Sequence, residues 1–247
     1  MCGRFAFFQE IEPLLDDLEA VDLTDGKVRS RWNIPPTAPI HVVTESIDRD
    51  SGQVLRALRI ARWGLLPPFA KDEAFSSRTF NARRESLAAK PSFRGSLSRY
   101  RAVVPMDGYY EWVRDGRTRK QPCFIAPADG SPVFMAALVS WWKGPGEHEG
   151  PAASGDGRFL LSATIITRAA EGDLARIHDR TPVMLARSRL DAWLDTGMDD
   201  PHAAQRWIQD DSNLLEEATL SVREVDPAVG KVGNEGPQLL EPPQRLL

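Results

Sequence analysis

The chain has 247 residues, 42% of them hydrophobic and 27% charged, with a formal net charge of -4, which suits one domain of ordinary core size. No run approaches the ~20 apolar residues that span a bilayer, and residues 1–25 lack a basic segment followed by an apolar one; no membrane partner is expected and the default location is cytoplasmic. Two cysteines, Cys2 and Cys123, exclude a disulfide framework and a four-cysteine zinc site, so reduced thiols and no metal or cofactor are expected.

The charge is unevenly spread. Residues 54–125 hold fifteen Lys and Arg against six Asp and Glu, a local +9 that leaves -13 for the remainder, and twenty-five of the thirty-one basic residues are arginine. Arginine forks onto phosphate through two parallel hydrogen bonds. A basic segment of that kind in an acidic protein suits a polyanion groove, and it suits equally a solvated arginine-rich face.

In chain order, Cys2-Gly3-Arg4 comes first. Removal of Met1 would leave an α-amine and a thiol on one residue, with ordinary pKa values of about 8 and about 8.5. Such a 1,2-aminothiol condenses with an aldehyde to an imine and closes to a thiazolidine; otherwise Cys2 is a small residue at a frayed start.

Residues 11–20 (IEPLLDDLEA) predict a short amphipathic helix with Pro13 in its first turn. Trp32 to Thr37 carries two prolines and reads as a rigid loop. Strands are expected at Pro39–Thr44 and Val54–Trp63, followed by the stiff apolar segment Gly64 to Phe69, either a core plug or a wedge that stacks on bases.

A helix is expected from Asn81 to about Lys90, stopped by Pro91. Tyr100–Pro105 reads as a buried strand, and 109–113 with 121–126 as a hairpin turning at Asp115-Gly116. Further strands are expected at 132–142 and 159–167 around a polar excursion at 143–158. A helix near 169–177 leads into an extended His178–Met184. Two surface packing helices follow, 189–194 capped by Ser188 and one from Pro201 to Ile208. Residues 219–226 suit an edge strand and 227–247 an irregular tail, which sets the domain at 1–226. The pattern lacks regular βαβ alternation. It predicts an α+β single domain around a curled, mainly antiparallel, barrel-like sheet with peripheral helices.

Three side chains are candidates for chemistry. Glu111, in Gly108-Tyr109-Tyr110-Glu111-Trp112, is flanked by aromatics that would desolvate it and raise its pKa, unless it lies on the strand's wet face. His178 precedes Asp179 and Arg180 and is either a proton-transfer group or a surface histidine. Asn81 with Arg83 offers an amide and a guanidinium for an oxyanion or phosphate, though Asn81 alone reads best as a helix cap.

The motifs Cys2 to Phe5, Trp32 to Thr37, Trp63-Gly64-Leu65 with Pro67, Asn81-Ala82-Arg83 with Glu85, Pro105 to Trp112 and His178 to Pro182 occur in that order. Their combination resembles the SOS response-associated peptidase family, the abasic-site processing proteins, over residues 2–185. The resemblance implies that family's fold and a protein that binds single-stranded DNA or single-strand/double-strand junctions, nucleoid-associated when so bound; a monomer is the default expectation. It implies covalent capture of abasic sites as a thiazolidine on Cys2 after autoproteolytic loss of Met1, with lyase activity if the imine eliminates.

On the same basis Asn81 holds the opened sugar or the Cys2 carbonyl, Glu111 shuttles protons and His178 protonates the sugar hydroxyl. Arg83 and Arg180 grip phosphates, with Arg4 and Asn33 as further DNA contacts, and Trp63, Leu65 and Pro67 wedge or stack at the lesion. Two other readings stay open. One is a cysteine peptidase that cuts other proteins with Cys2 and His178; the other is a noncatalytic module that binds single strands.

Overall fold

The computed structural model describes residues 3–27, 29–48, 51–113 and 120–243. In chain order the elements are β1 (Phe5–Phe7), α1 (Ile11–Leu18), β2 (Val21–Asp22), β3 (Arg31–Ile34), β4 (Pro39–Ile47), β5 (Val54–Trp63) and β6 (Asn81–Arg83). Next come α2 (Pro91–Arg99), β7 (Arg101–Met106), β8 (Gly108–Val113), β9 (Gln121–Pro127), β10 (Val133–Trp142) and β11 (Leu160–Ala169). The chain closes with α3 (Gly172–Ile177), β12 (Arg180–Pro182), β13 (Met184–Leu185), α4 (Leu190–Leu194), α5 (Pro201–Gln209) and β14 (Leu220–Glu224).

Five strands close on themselves. β5, β4, β7, β10 and β11 pair antiparallel in that order, and β11 returns to β5 in a parallel joint at Ser162↔Arg62 and Ala163↔Trp63. Closure removes the edges that an open sheet would present to solvent or to other chains. Val42, Leu58, Val103, Leu138 and Ile165 are fully buried in its core, and burial of each such side chain contributes roughly 1.5–3 kcal/mol.

β10 and β11 part company at one end. There the segment 180–185 fills the gap, pairing with β11 through β12 and with β10 through β13, while the Val183 carbonyl accepts from Ala136 and the Val183 amide donates to Ile166. Pro182 fits this position because it ends the short strand where no further ladder donor is required. β6 lies on the other side of β11, parallel to it.

A second antiparallel sheet, in the order β14-β9-β8-β1-β3, covers the barrel. Alternation along its strands turns Phe5, Phe7, Tyr109 and Ile125 onto the barrel core, and Ala6, Tyr110 and Phe124 onto Val225, Val229 and Leu239 from the C-terminal segment.

Several local expectations change. Asn81 opens no helix: residues 81–83 pair with β11, and the helix instead begins at Pro91, whose fixed φ and missing N–H suit a first helical turn. Trp32 to Thr37 is not all loop, since Arg31–Ile34 forms an edge strand and the prolines lie just beyond it. Ser188 does not cap α4, and α4 is no surface helix, because Leu190, Trp193 and Leu194 are buried in the main core. Asp200 caps α5 by accepting from the amides of His202 and Ala203. The Asp115-Gly116 turn lies outside the described residues. Cys123 is buried on β9, and burial pushes its thiol pKa up. Among the described residues no helix is long and apolar enough to cross a membrane.

Candidate active site

β11 aligns the pieces of the site. Along its free side it meets Trp63, then Asn81 opposite Ile165, then Arg83 opposite Thr167; on its other side Ala169 faces Arg180. In β6 the side chains alternate, so buried Ala82 points into the core while half-buried Asn81 and exposed Arg83 share the opposite face. Arg83 has no carboxylate partner among the described residues, so its guanidinium is available to an anion.

Glu111 lies on the same face of β8 as Tyr109, which is buried against the barrel. The Tyr109 hydroxyl meets Thr181 Oγ1 at 3.0 Å, which ties β8 to β12, and α3 packs against β8 immediately before His178. Glu111 is only 5% exposed. Burial raises its carboxyl pKa, and the nearby His178 charge offsets part of that rise.

His178 Nδ1 accepts from the Arg180 amide at 3.0 Å and lies 2.8 Å from an Asp179 carboxylate oxygen. The neutral ring therefore finds a donor in Arg180, and the protonated ring finds an acceptor in Asp179. A group with a partner in both protonation states suits proton transfer.

Arg180 is already engaged. Its two terminal nitrogens meet the two oxygens of Glu85 at 2.9 and 3.0 Å, and one also donates to the Thr167 carbonyl at 2.6 Å. Burial pushes the Glu85 carboxyl up, but Arg180 overrides it and holds the pKa below the usual range. Arg180 thus bridges β11, β12 and the segment after β6.

The chain's first described residues run beside Glu111. The Arg4 carbonyl accepts from the Tyr110 amide at 2.9 Å and Phe5 pairs with Tyr109, a register whose continuation sets Gly3 across from Glu111. Cys2 and Met1 lie outside the described residues.

Other expected DNA contacts are elsewhere. Arg4 and Asn33 are 9% and 1% exposed: Arg4 donates to Asn33 Oδ1 at 2.6 Å and to the Val229 carbonyl at 2.9 Å, while Asn33 Nδ2 donates to the carbonyls of Val229, Lys231 and Asn234. Through these bonds the pair holds the C-terminal segment.

Trp63, Leu65 and Pro67 are buried, so the apolar segment after β5 is a plug rather than a stacking surface. Trp63 meets Phe5 edge-on at 5.2 Å and donates from Nε1 to the Phe80 carbonyl at 2.8 Å, linking the start of the chain to Asn81. Gly64 makes this possible, since a Cβ there would lie 2.4 Å from the Ser76 carbonyl oxygen and its φ is +141°. Exposure falls instead to Phe69, 57% accessible and edge-on to Phe75, over which Arg78 sits at 5.4 Å. The sequence offered the Pro67-Pro68-Phe69 run as a signal but not which of its residues faces out.

A closed barrel capped by a second sheet thus carries a buried carboxylate near an imidazole, with the guanidinium of Arg83 exposed beside them. The family model for the SOS response associated peptidase (SRAP) matches residues 1–232, and the chain belongs to that family. It is 31% identical over 242 residues to the abasic site processing protein YoqW of Bacillus subtilis, covering 98% of this chain and 99% of the relative. It is 32% identical over 246 residues to YedK of Escherichia coli, also named an abasic site processing protein, covering 98% and 100%. A crystal structure of a protein from Bacteroides thetaiotaomicron shares the fold, with TM-score 0.78 and 18% identity over 98% of this chain and 100% of that one.

Proposed function

We propose that the protein recognises abasic sites in single-stranded DNA, including those near single-strand/double-strand junctions, and captures them covalently through Cys2 once Met1 is removed. The observation that carries this reading is the buried Glu111, with His178 beside it, on the strand along which the start of the chain is laid. The names of the relatives supply the substrate class, and the family's description as a peptidase supports autoproteolytic loss of Met1.

The steps follow from the side chains. His178 protonates the ring oxygen while the C1 hydroxyl gives up its proton to a base, and the ring opens to the aldehyde. The Cys2 amine adds to the carbonyl, and Glu111 protonates the resulting hydroxyl so that it leaves as water and the imine forms. The Cys2 thiol gives its proton to a base and its sulfur adds to the imine carbon, closing the thiazolidine; if the imine instead loses the proton α to it, elimination cleaves the strand. Asn81 holds the opened sugar, and Arg83 neutralises a flanking phosphate, with Arg180 shaping the pocket through Glu85.

Intact mass and denaturing gels of the purified protein, with and without an abasic oligonucleotide, test this. Loss of Met1 and a stable adduct are expected in the wild type and no adduct in Cys2→Ala; an undiminished adduct in that variant overturns the mechanism. Glu111→Gln should slow adduct formation by about a hundredfold, the range of general acid catalysis.

A further inference from the structure

The other end of the barrel holds a cleft that this chemistry does not use. Trp141 pairs with Leu161 while Arg180 pairs with Ala169, eight residues further along β11, a separation of about 26 Å at roughly 3.3 Å per residue. The cleft, about 290 Å³, is lined by Ile47, Arg59, Arg99, Tyr100 and Trp141, with Glu45 at its edge.

Two of its features ask for a ligand. Ile47, Tyr100 and Trp141 are 59%, 47% and 39% exposed, three large apolar side chains from separate elements gathered at one place. Arg59 and Arg99 also point into it with no ion pair or hydrogen bond among the described residues. Burial without a counter-charge lowers the Arg59 pKa, so a bound anion would be favoured there. Of the cleft's other charged residues, Glu45 is held by Arg56 Nε at 2.8 Å, and Arg101 donates to the carbonyls of Leu97, Trp193, Asp195 and Met198. What is left is a net positive cleft with two aromatic faces.

We propose that this cleft binds one nucleotide unit, its base stacked on Trp141 or Tyr100 and its phosphate held by Arg59 and Arg99. Its volume suits a single base and phosphate rather than a larger ligand. A protein surface would match the apolar residues but would leave two unpaired guanidinium groups to bury, which is costly. The unit is either a free nucleotide or part of a single strand that runs past the lesion centre.

The test uses Cys2→Ala protein, so that covalent capture contributes nothing and the failure of one reading leaves the other standing. dAMP is titrated by calorimetry, and a labelled oligothymidylate without abasic sites by fluorescence polarisation. In that background Trp141→Ala and Arg59→Gln should each weaken binding about tenfold in protein whose circular dichroism shows it still folded. Saturable dAMP binding lost in both variants assigns the free nucleotide; binding of the oligonucleotide alone, weakened in both, assigns the strand. Binding of both probes unaltered by either substitution overturns the proposal, as does displacement of dAMP by an acidic peptide at equal concentration.

Discussion

Glu111 is on a strand whose aromatic neighbours take it out of water, and that position has two measurable consequences. Folding raises its pKa, so it favours the protonated form: stability associated with Glu111 is present at low pH and is lost as pH rises through the folded-state pKa. Glu111→Gln should therefore melt at a higher temperature than wild type near neutral pH, and the gain should vanish in acid. The same raised pKa keeps a proton donor available nearer neutrality, so adduct formation should decline with rising pH in the wild type and lose that dependence in the variant. A variant that melts lower at neutral pH would contradict the desolvation argument. His178 Nδ1 lies between the Arg180 amide, from which it accepts, and an Asp179 carboxylate oxygen.

Among the elements, the segment between β5 and β6 decides how the site is built. Trp63 plugs the core and reaches both Phe5 and Phe80, Thr79 and Leu65 exchange hydrogen bonds at 3.2 and 2.7 Å, and Gly64 donates to Ala163 across the parallel joint. Gly64→Ala puts a Cβ into Ser76 at a positive φ, and it should destabilise the fold by about 2–4 kcal/mol, read by denaturant melts. Because this segment carries Asn81, Gly64→Ala should also slow adduct formation at temperatures where the protein is still folded. The expected wedge and the actual plug differ for a physical reason: an apolar run next to a tryptophan has the same sequence whether it faces the core or a base. Only Pro68 and Phe69, at the end of the run, escape burial.

Over the whole molecule, the C-terminal segment is a structural partner of the chain's beginning. Val229 and Leu239 are buried on the outer face of the second sheet, Arg4 and Asn33 grip the carbonyls of residues 229–234, and Glu235 meets Arg31 at 3.2 Å and the Trp32 amide at 2.8 Å. Truncation after Asp226 removes two buried side chains worth roughly 1.5–3 kcal/mol each and strands the polar groups of Arg4 and Asn33. The truncated protein should melt markedly lower and lose adduct formation with β1; an unchanged melt would mean that the tail is dispensable.

Some of this was written locally. Alternation drew β5 from Val54 to Trp63, the 3.6-residue apolar spacing drew α1, and the Tyr109–Trp112 and His178–Pro182 motifs carried their chemistry in their own residue types. Those features depend on neighbours within a few positions, so periodicity and composition record them. What only the tertiary structure decided rests on contacts between distant residues. Asn81 became a strand because β11, more than eighty residues later, offered it a parallel edge. Arg4 turned from a candidate phosphate ligand into a buried clamp because Val229 arrives from the other end of the chain. Burial and strand pairing are properties of the assembled chain, and no local window of sequence contains the partner that settles them.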